Sequence, residues 1–245
     1  FTDLCESLHQ GNSDYAVMAI ENSIAGSLLQ NYGLLQEYNF HIIGEVYLRI
    51  EMHLMALKGQ EIADISTVQS HPIAIRQCGK YLQGLPGTTL LEKEDTAVCA
   101  KEIAENKLAG YAAVANLSAA KKYGLKVLAS NIETNKNNFT RFVILGKTPA
   151  VSSKNNKASL IFNLNHERGS LAAVLNLFAA LEINLTKIQS VSIIGLQYKY
   201  NFHVDVTWES QEQFAAAEVK IIELTENYQV LGQYFDGNFE AVKNS

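Results

Sequence analysis

The sequence predicts an α/β part followed by a smaller α+β part, and three observations carry that prediction. Up to residue 145, short apolar strands alternate with helical stretches, the pattern of an open, mostly parallel sheet. At 147–157, KTPAVSSKNNK, apolar residues thin out in favour of Pro, Ser, Asn and Lys, which reads as a linker. Beyond it the elements run strand, helix, strand, strand, helix, strand. The predicted organisation is therefore 1–148, a linker at 149–157, and a second domain at 158–240.

The chain opens in a helix pattern. Phe1, Leu4, Cys5 and Leu8 share a face, and Gly11 ends it. Phe1 is not a natural start, so further sequence is expected to precede it. Residues 15–20 form a strand and 27–38 a helix. At 46–57, Val46, Leu48, Ile50, Met52 and Leu54 alternate with Tyr47, Arg49, Glu51 and His53, which predicts one long half-buried strand. A strand near 67, a helix at 72–82, a strand at 88–91 and a helix at 96–106 follow. A strand at 110–114, a helix at 117–123, and strands at 126–129 and 139–145 complete the first part. In the second part the strands are 158–164, 185–194, 198–207 and 228–235, with helices at 169–181 and 211–225. This βαββαβ order is the ferredoxin-like arrangement.

Composition narrows the function. Of the 245 residues, 47% are hydrophobic and 18% charged, which is globular usage. The net charge of −5 disfavours a general nucleic-acid surface, so an anionic ligand needs a local attraction. No apolar run is long enough to span a membrane. Cys5, Cys78 and Cys99 are an odd, scattered set with neither disulfide nor zinc spacing, which fits reduced thiols in the cytoplasm. His9, His41, His53, His71, His166 and His203 form no metal-spaced cluster, and no Ser-His-Asp, glycine-rich phosphate loop or HExxH motif occurs. No metal or organic cofactor is expected.

Ligands in open α/β sheets collect where strands end and helices begin. Four such junctions carry polar groups. In AIENSIAG (19–26), Glu21, Asn22 and Ser23 follow a strand, and Asn22 or Ser23 is a candidate helix cap. In QSHPIAIRQC (69–78), Ser70 is a candidate cap before Pro72, free N–H groups there suit a carboxylate, and Gln77 lies about one and a half turns on. In EKEDTAVCA (92–100), Asp95 or Thr96 caps the helix. In NNFTRF (137–142), Asn138, Thr140 and Arg141 cluster ahead of an apolar strand. Neutral donors beside one cation suit a substrate that is already anionic and already reactive.

Taken in order, these motifs resemble the prephenate dehydratase family with its C-terminal ACT domain. The matching segments are Glu21-Asn22-Ser23, Ser70-His71-Pro72 with Gln77-Cys78, Asp95-Thr96-Ala97, and Asn138-Phe139-Thr140-Arg141-Phe142. The likeness runs to about Gly237. It implies a two-lobed catalytic domain like type II periplasmic binding proteins, with a central cleft. It also implies conversion of prephenate to phenylpyruvate, carbon dioxide and water without a cofactor. The family's T-R-F threonine, here Thr140, donates a hydrogen bond to the departing hydroxyl. Asn22 and Gln77 orient substrate, and Ser23, Ser70, Thr96 and Asn138 add donors. Arg141 either attracts the dianion or braces the loop by an ion pair.

The family's opening strand with its G-x-x-G-T-F-S-like loop does not occur in this sequence, and Ile73 stands where glutamine is common after S-H-P. In the second domain the resemblance implies L-phenylalanine as effector, at a site including Gly169, Ser170, Leu171, Gln189 and Ser190 and shared between two chains of a homodimer or homotetramer. The family's ESRP-like motif reads Gln189-Ser190-Val191-Ser192 here. Arogenate as substrate, or a non-catalytic anion or amino-acid sensor, are the alternatives.

Overall fold

The structure, a computed structural model, describes residues 1–150, 152–193, 195 and 197–237. Val151 of the expected linker, Ile194 of an expected strand and the expected domain end at 238–240 lie outside the described residues. The chain divides into two compact units. One comprises Phe1–Leu48 with the described residues from Phe139 on, and the other is Arg49–Asn138.

The first unit starts with α1 (Thr2–Gln10), closed by Gly11 in the left-handed region at φ 80°. Its sheet has the order β2-β1-β9-β3, from β1 (Ala16–Asn22), β2 (Gly26–Ser27), β3 (His41–Arg49) and β9 (Phe139–Gly146). β1 is antiparallel to both β2 and β9. Helix α2 (Leu29–Tyr38) starts later than expected because Gly26 and Ser27 return as a hairpin on β1. No side chain caps it, so neither Asn22 nor Ser23 is a helix cap.

The same unit contains the βαββαβ part. Its strands are β10 (Lys157–Asn163), β11 (Asn184–Ser192), β12 (Tyr200–Thr207) and β13 (Glu226–Tyr234), with helices α7 (Ser170–Ala180) and α8 (Gln211–Leu224). The order β11-β12-β10-β13, antiparallel throughout, is the one the element order predicted. Ala158, Leu160 and Phe162 of β10 pack with Val174, Phe178 and Phe214 of the helices. On the other face, Ile161, Leu231 and Tyr234 share a core with Met18, Ile42, Val143 and Leu145. This shared core is why compactness does not divide the chain at the polar segment 149–157. Gly232 sits against the backbone of β3, and a Cβ there would lie 1.9 Å from the Ile42 carbonyl oxygen.

The second unit has a five-stranded sheet of order β6-β5-β7-β4-β8. It consists of β4 (His53–Ala56), β5 (Thr67–Ser70), β6 (Thr89–Glu92), β7 (Tyr111–Ala115) and β8 (Lys126–Ala129). β5 runs parallel to β6 and β7, but β4 is antiparallel to β7 and β8. β6, β5, β7 and β8 therefore run the same way and β4 alone is reversed in this sheet, as a mostly parallel sheet requires, whereas in the first unit β1 is antiparallel to both its neighbours and departs from that expectation. The single long strand at 46–57 is likewise two strands in two sheets, β3 and β4. The ladder breaks at 50–52, where Ile50 N donates to Asn138 O at 2.7 Å and Met52 N to Glu133 Oε2 at 2.9 Å. Periodicity records which way side chains face and is blind to a change of ladder partner.

Helix α5 (Thr96–Glu105) is capped by Asp95, and α6 (Leu117–Tyr123) by Asn116 with Gly124 at its end. The expected helix 72–82 is interrupted at buried Cys78 into α3 (Pro72–Gln77) and α4 (Gly79–Leu82). The remaining regular element is the short 3-10 turn Ile62–Asp64. All three cysteines are free and buried. Burial pushes the Cys78 thiol up to about 12 and Cys99 up to about 11, so neither is a ready nucleophile. Among the described residues no helix is long and apolar enough to cross a membrane, and no His/Cys/Asp/Glu group is placed to hold a metal ion.

Candidate active site

In the first unit the site is built on the β1/β9 ladder. A regular continuation from the Ala19–Phe142 pair would set Glu21 opposite Thr140. Instead the register shifts between Ala19 and Glu21, so Glu21 faces Arg141 and Asn22 faces Thr140. The bulged carbonyls are satisfied. Ala19 O accepts from buried Asn31 Nδ2 at 2.7 Å, and Ile20 O from Leu28 N at 3.0 Å.

Asn22 Nδ2 donates to Thr140 Oγ1 at 3.0 Å and to Phe139 O at 3.2 Å. Its Oδ1 accepts from Ile24 N at 3.0 Å and Ala25 N at 2.8 Å. Two backbone donors fix which end of the amide is oxygen, so the amide cannot turn over. Thr140 Oγ1 is thereby an acceptor toward Asn22, and its own hydrogen is directed elsewhere. Accepting one bond strengthens a hydroxyl as a donor in the next. Asn22 thus has a partner that the motif alone did not indicate: it orients Thr140. Ser23 joins the same corner, with Phe139 N donating to its Oγ at 2.9 Å and its own N donating to Phe139 O at 2.8 Å.

Arg141 points to the opposite face of β9 from Thr140. Its expected substrate contact is replaced by buried ion pairs, because every polar group it meets belongs to the protein interior. Nε donates to Glu45 Oε2 at 2.6 Å, Nη1 to Asp205 Oδ2, and Nη2 to the Tyr234 hydroxyl at 2.9 Å. Lys157 Nζ donates to Glu45 Oε1 at 2.7 Å, and Ser159 Oγ to Asp205 Oδ1 at 2.5 Å. Burial opposes the Arg141 charge, but Asp205, Tyr234 and Glu45 outweigh it and hold the guanidinium well above its ordinary value. Of the two roles open in the sequence, the brace is the one the geometry supports.

Beside this network, Lys187 Nζ lies 2.8 Å from Glu21 Oε2, an ion-pair contact rather than a well-aligned hydrogen bond. Burial lowers the Lys187 ammonium from its ordinary value, with the Glu21 carboxylate acting against that. Glu45, Lys157, Ser159, Lys187, Asp205 and Tyr234 were not singled out in the sequence. The available signal was a charge inside an apolar strand, as in FHVDVT (202–207).

In the second unit, Asn138 is buried and its Nδ2 donates to Gln77 Oε1 at 3.0 Å, while Gln77 O accepts from Thr134 N at 2.8 Å. Ser70 corrects an expectation. It is the last residue of β5, fully buried, and its hydroxyl donates to Val114 O at 2.6 Å across the ladder, which spends its hydrogen on the sheet. The cap of α3 is His71, whose Nδ1 accepts from Ile73 N at 3.2 Å. Thr96 is the first residue of α5, and the Asp95 carboxylate already accepts from Val98 N at 2.8 Å.

Of the expected effector residues, Gly169 precedes α7 at φ 87°. A Cβ on it would meet nothing within 4 Å, so its backbone angle, not close helix packing, calls for glycine. Ser170 Oγ donates to Glu167 O, and Leu171 packs on the core beneath the helices. Gln189 and Ser190 lie on the sheet-edge strand β11, where Gln189 Nε2 donates to Ser190 O at 2.8 Å.

A family model described as prephenate dehydratase matches residues 1–150. An arogenate dehydratase/prephenate dehydratase of Arabidopsis thaliana is 38% identical over 96% of this chain, which spans 64% of that relative's length. Among solved structures, one described as GqqA, a novel type of quorum quenching acylase, aligns with TM-score 0.88 and 29% identity over 98% of this chain and 88% of that one. A prephenate dehydratase of Arthrobacter aurescens in complex with L-Phe aligns with TM-score 0.86 and 25% identity, over 97% and 80% of the two chains.

Proposed function

The chain belongs to the prephenate dehydratase family, and from that premise we propose that the protein converts prephenate to phenylpyruvate, carbon dioxide and water. The driving force resides in the substrate, whose ring becomes aromatic as carboxylate and hydroxyl depart. The protein's task is to orient the dianion and to stabilise the hydroxide as its C–O bond breaks. Thr140 is the donor to that oxygen. The observation that carries this reading is the fixed Asn22 amide, which occupies one lone pair of Thr140 and leaves its hydrogen for an acceptor other than Asn22. Gln77, Ser23, Thr96 and Asn138 keep the substrate-orienting roles that the family motifs give them, each tested separately by its effect on KM.

The βαββαβ part is, on this reading, an ACT domain that binds L-phenylalanine as a feedback effector around Gly169–Leu171 and Gln189–Ser190, in a homodimer or homotetramer. The Arthrobacter relative solved with L-Phe supports this. The deciding experiment assays the full-length protein with prephenate, with and without L-phenylalanine. Phenylpyruvate formation that Thr140→Val abolishes in a folded protein supports the reading; full turnover in that variant removes Thr140 from the mechanism. The Arabidopsis relative's name carries both arogenate and prephenate, so arogenate is the second substrate to compete in the same assay.

A further inference from the structure

Two pairs of register partners meet in the first unit. On the β1/β9 ladder, Glu21 is opposite Arg141, next to Asn22 opposite Thr140. On the β11/β12 ladder, Lys187 is opposite Asp205. Lys187 reaches Glu21, and Asp205 reaches Arg141. The four side chains form a rectangle of alternating charge, with each ion pair linking one sheet to the other. Successive residues of a strand face opposite ways, so each member of the Asn22–Thr140 pair is one peptide from a residue anchored to the C-terminal sheet.

We propose that Lys187 and Asp205 are positioning residues for the reaction, setting the Asn22–Thr140 geometry through Glu21 and Arg141. This rests on Thr140 being the donor proposed above. The C-terminal sheet is then a structural part of the active site and not only a carrier of an effector site. Asp205 is further fixed by Ser159 at 2.5 Å, and Thr186 Oγ1 donates to the Asp205 carbonyl at 3.2 Å, so the anchor is held from its own sheet. The Lys187 side chain is 8% exposed, whereas Glu21 is 37% exposed. Removing Lys187 therefore leaves a carboxylate that water reaches, a milder defect than an orphaned buried charge.

The test compares Lys187→Met, Lys187→Arg and Asp205→Asn in the full-length protein, with Lys101→Met, from an exposed pair on α5, as control. Steady-state kinetics with prephenate are combined with NMR of the Thr140 methyl group, assigned by its disappearance in Thr140→Val. Lys187→Met is expected to lower kcat about tenfold with KM within about twofold, since small misplacements of a reacting group are costly in rate. It should also shift the Thr140 methyl resonance, while Lys187→Arg restores both and Lys101→Met changes neither. An unmoved methyl resonance with unchanged kcat in Lys187→Met overturns the proposal, whether or not Asp205→Asn folds. A shifted resonance in a protein that never turns over prephenate supports the coupling and defeats the proposed function instead.

Discussion

Thr140 and Asn22 show how much one amide can determine. With its oxygen held by Ile24 N and Ala25 N, Asn22 has only donors left for Thr140. Asn22→Asp keeps the shape and reverses that polarity. One carboxylate oxygen still accepts from the backbone, and the other attracts the Thr140 hydrogen away from substrate. The expected outcome is a fall in kcat of about 10²–10³-fold, the scale for losing one donor to a developing anion. Circular dichroism should be unchanged, and the Asn22→Asp, Thr140→Val double variant should be no worse than Thr140→Val alone. The E-N-S and T-R-F motifs made both residues legible in the sequence. The bond between them was not, because it depends on a bulge that no periodicity encodes. Ser70 shows the converse: its motif marked it out, yet burial gives its hydroxyl to Val114.

At the scale of elements, β12 carries a histidine in a setting that refuses charge. His203 is 3% exposed, its ring packs on Tyr32 at 4.5 Å, and neither ring nitrogen has a hydrogen-bond partner among the described residues. Burial lowers its pKa from 6.5 to about 4, with Asp205 opposing and Lys187 assisting. Between those values the unfolded chain takes up a proton that the folded chain refuses. Stability therefore falls as the pH drops from 6.5 towards 4, by up to about 3 kcal/mol from this group alone. His203→Phe should remove that share, so the difference between its pH–stability curve and the parent's, followed by urea unfolding, rises as the pH falls through this window.

A second element-scale prediction concerns β13. Gly232→Ala places a methyl against the Ile42 carbonyl, which is backbone and cannot turn aside. A loss of about 3 kcal/mol or more is expected, at or above the usual overpacking range, and a thermal melt measures it. The strands and helices of the second domain were legible to within about two residues where the chain is described, because their alternation and turn chemistry are local. The Gly232 contact was not, since it involves strands some 190 residues apart along the chain.

For the whole molecule, the polar segment at 149–157 reads as a boundary, yet the buried charges Glu45 and Arg141 lie before it, Asp205 lies after it, and its own last residue, Lys157, is buried as the first residue of β10. Ending the chain at residue 148 removes Asp205, Lys157 and Tyr234 from around Arg141 and Glu45, and uncovers Ile42 and Val143. Breaking a buried pair from one side costs about 3–5 kcal/mol, a large part of an ordinary stability. A 1–148 fragment is expected to lose near-UV circular dichroism and amide protection in β1 and β9, and hydrogen exchange checks this. Composition finds segments where few apolar residues fall; it does not report what the flanking strands later share.

The bulge at Ile20 carries one more consequence, for the kinds of genetic change this gene can absorb. A codon lost at Ile20 itself would let the ladder close regularly with Glu21 still opposite Arg141 and Asn22 still opposite Thr140, because Ile20 is the residue the pairing passes over. A codon gained between Ile20 and Asn22 would instead push the amide one place past Thr140 and set a neighbour of different chemistry in its post while the sheet itself survived. Such an insertion is expected to yield a well-folded protein whose proposed donor has lost its orienting partner, without any side chain having been replaced.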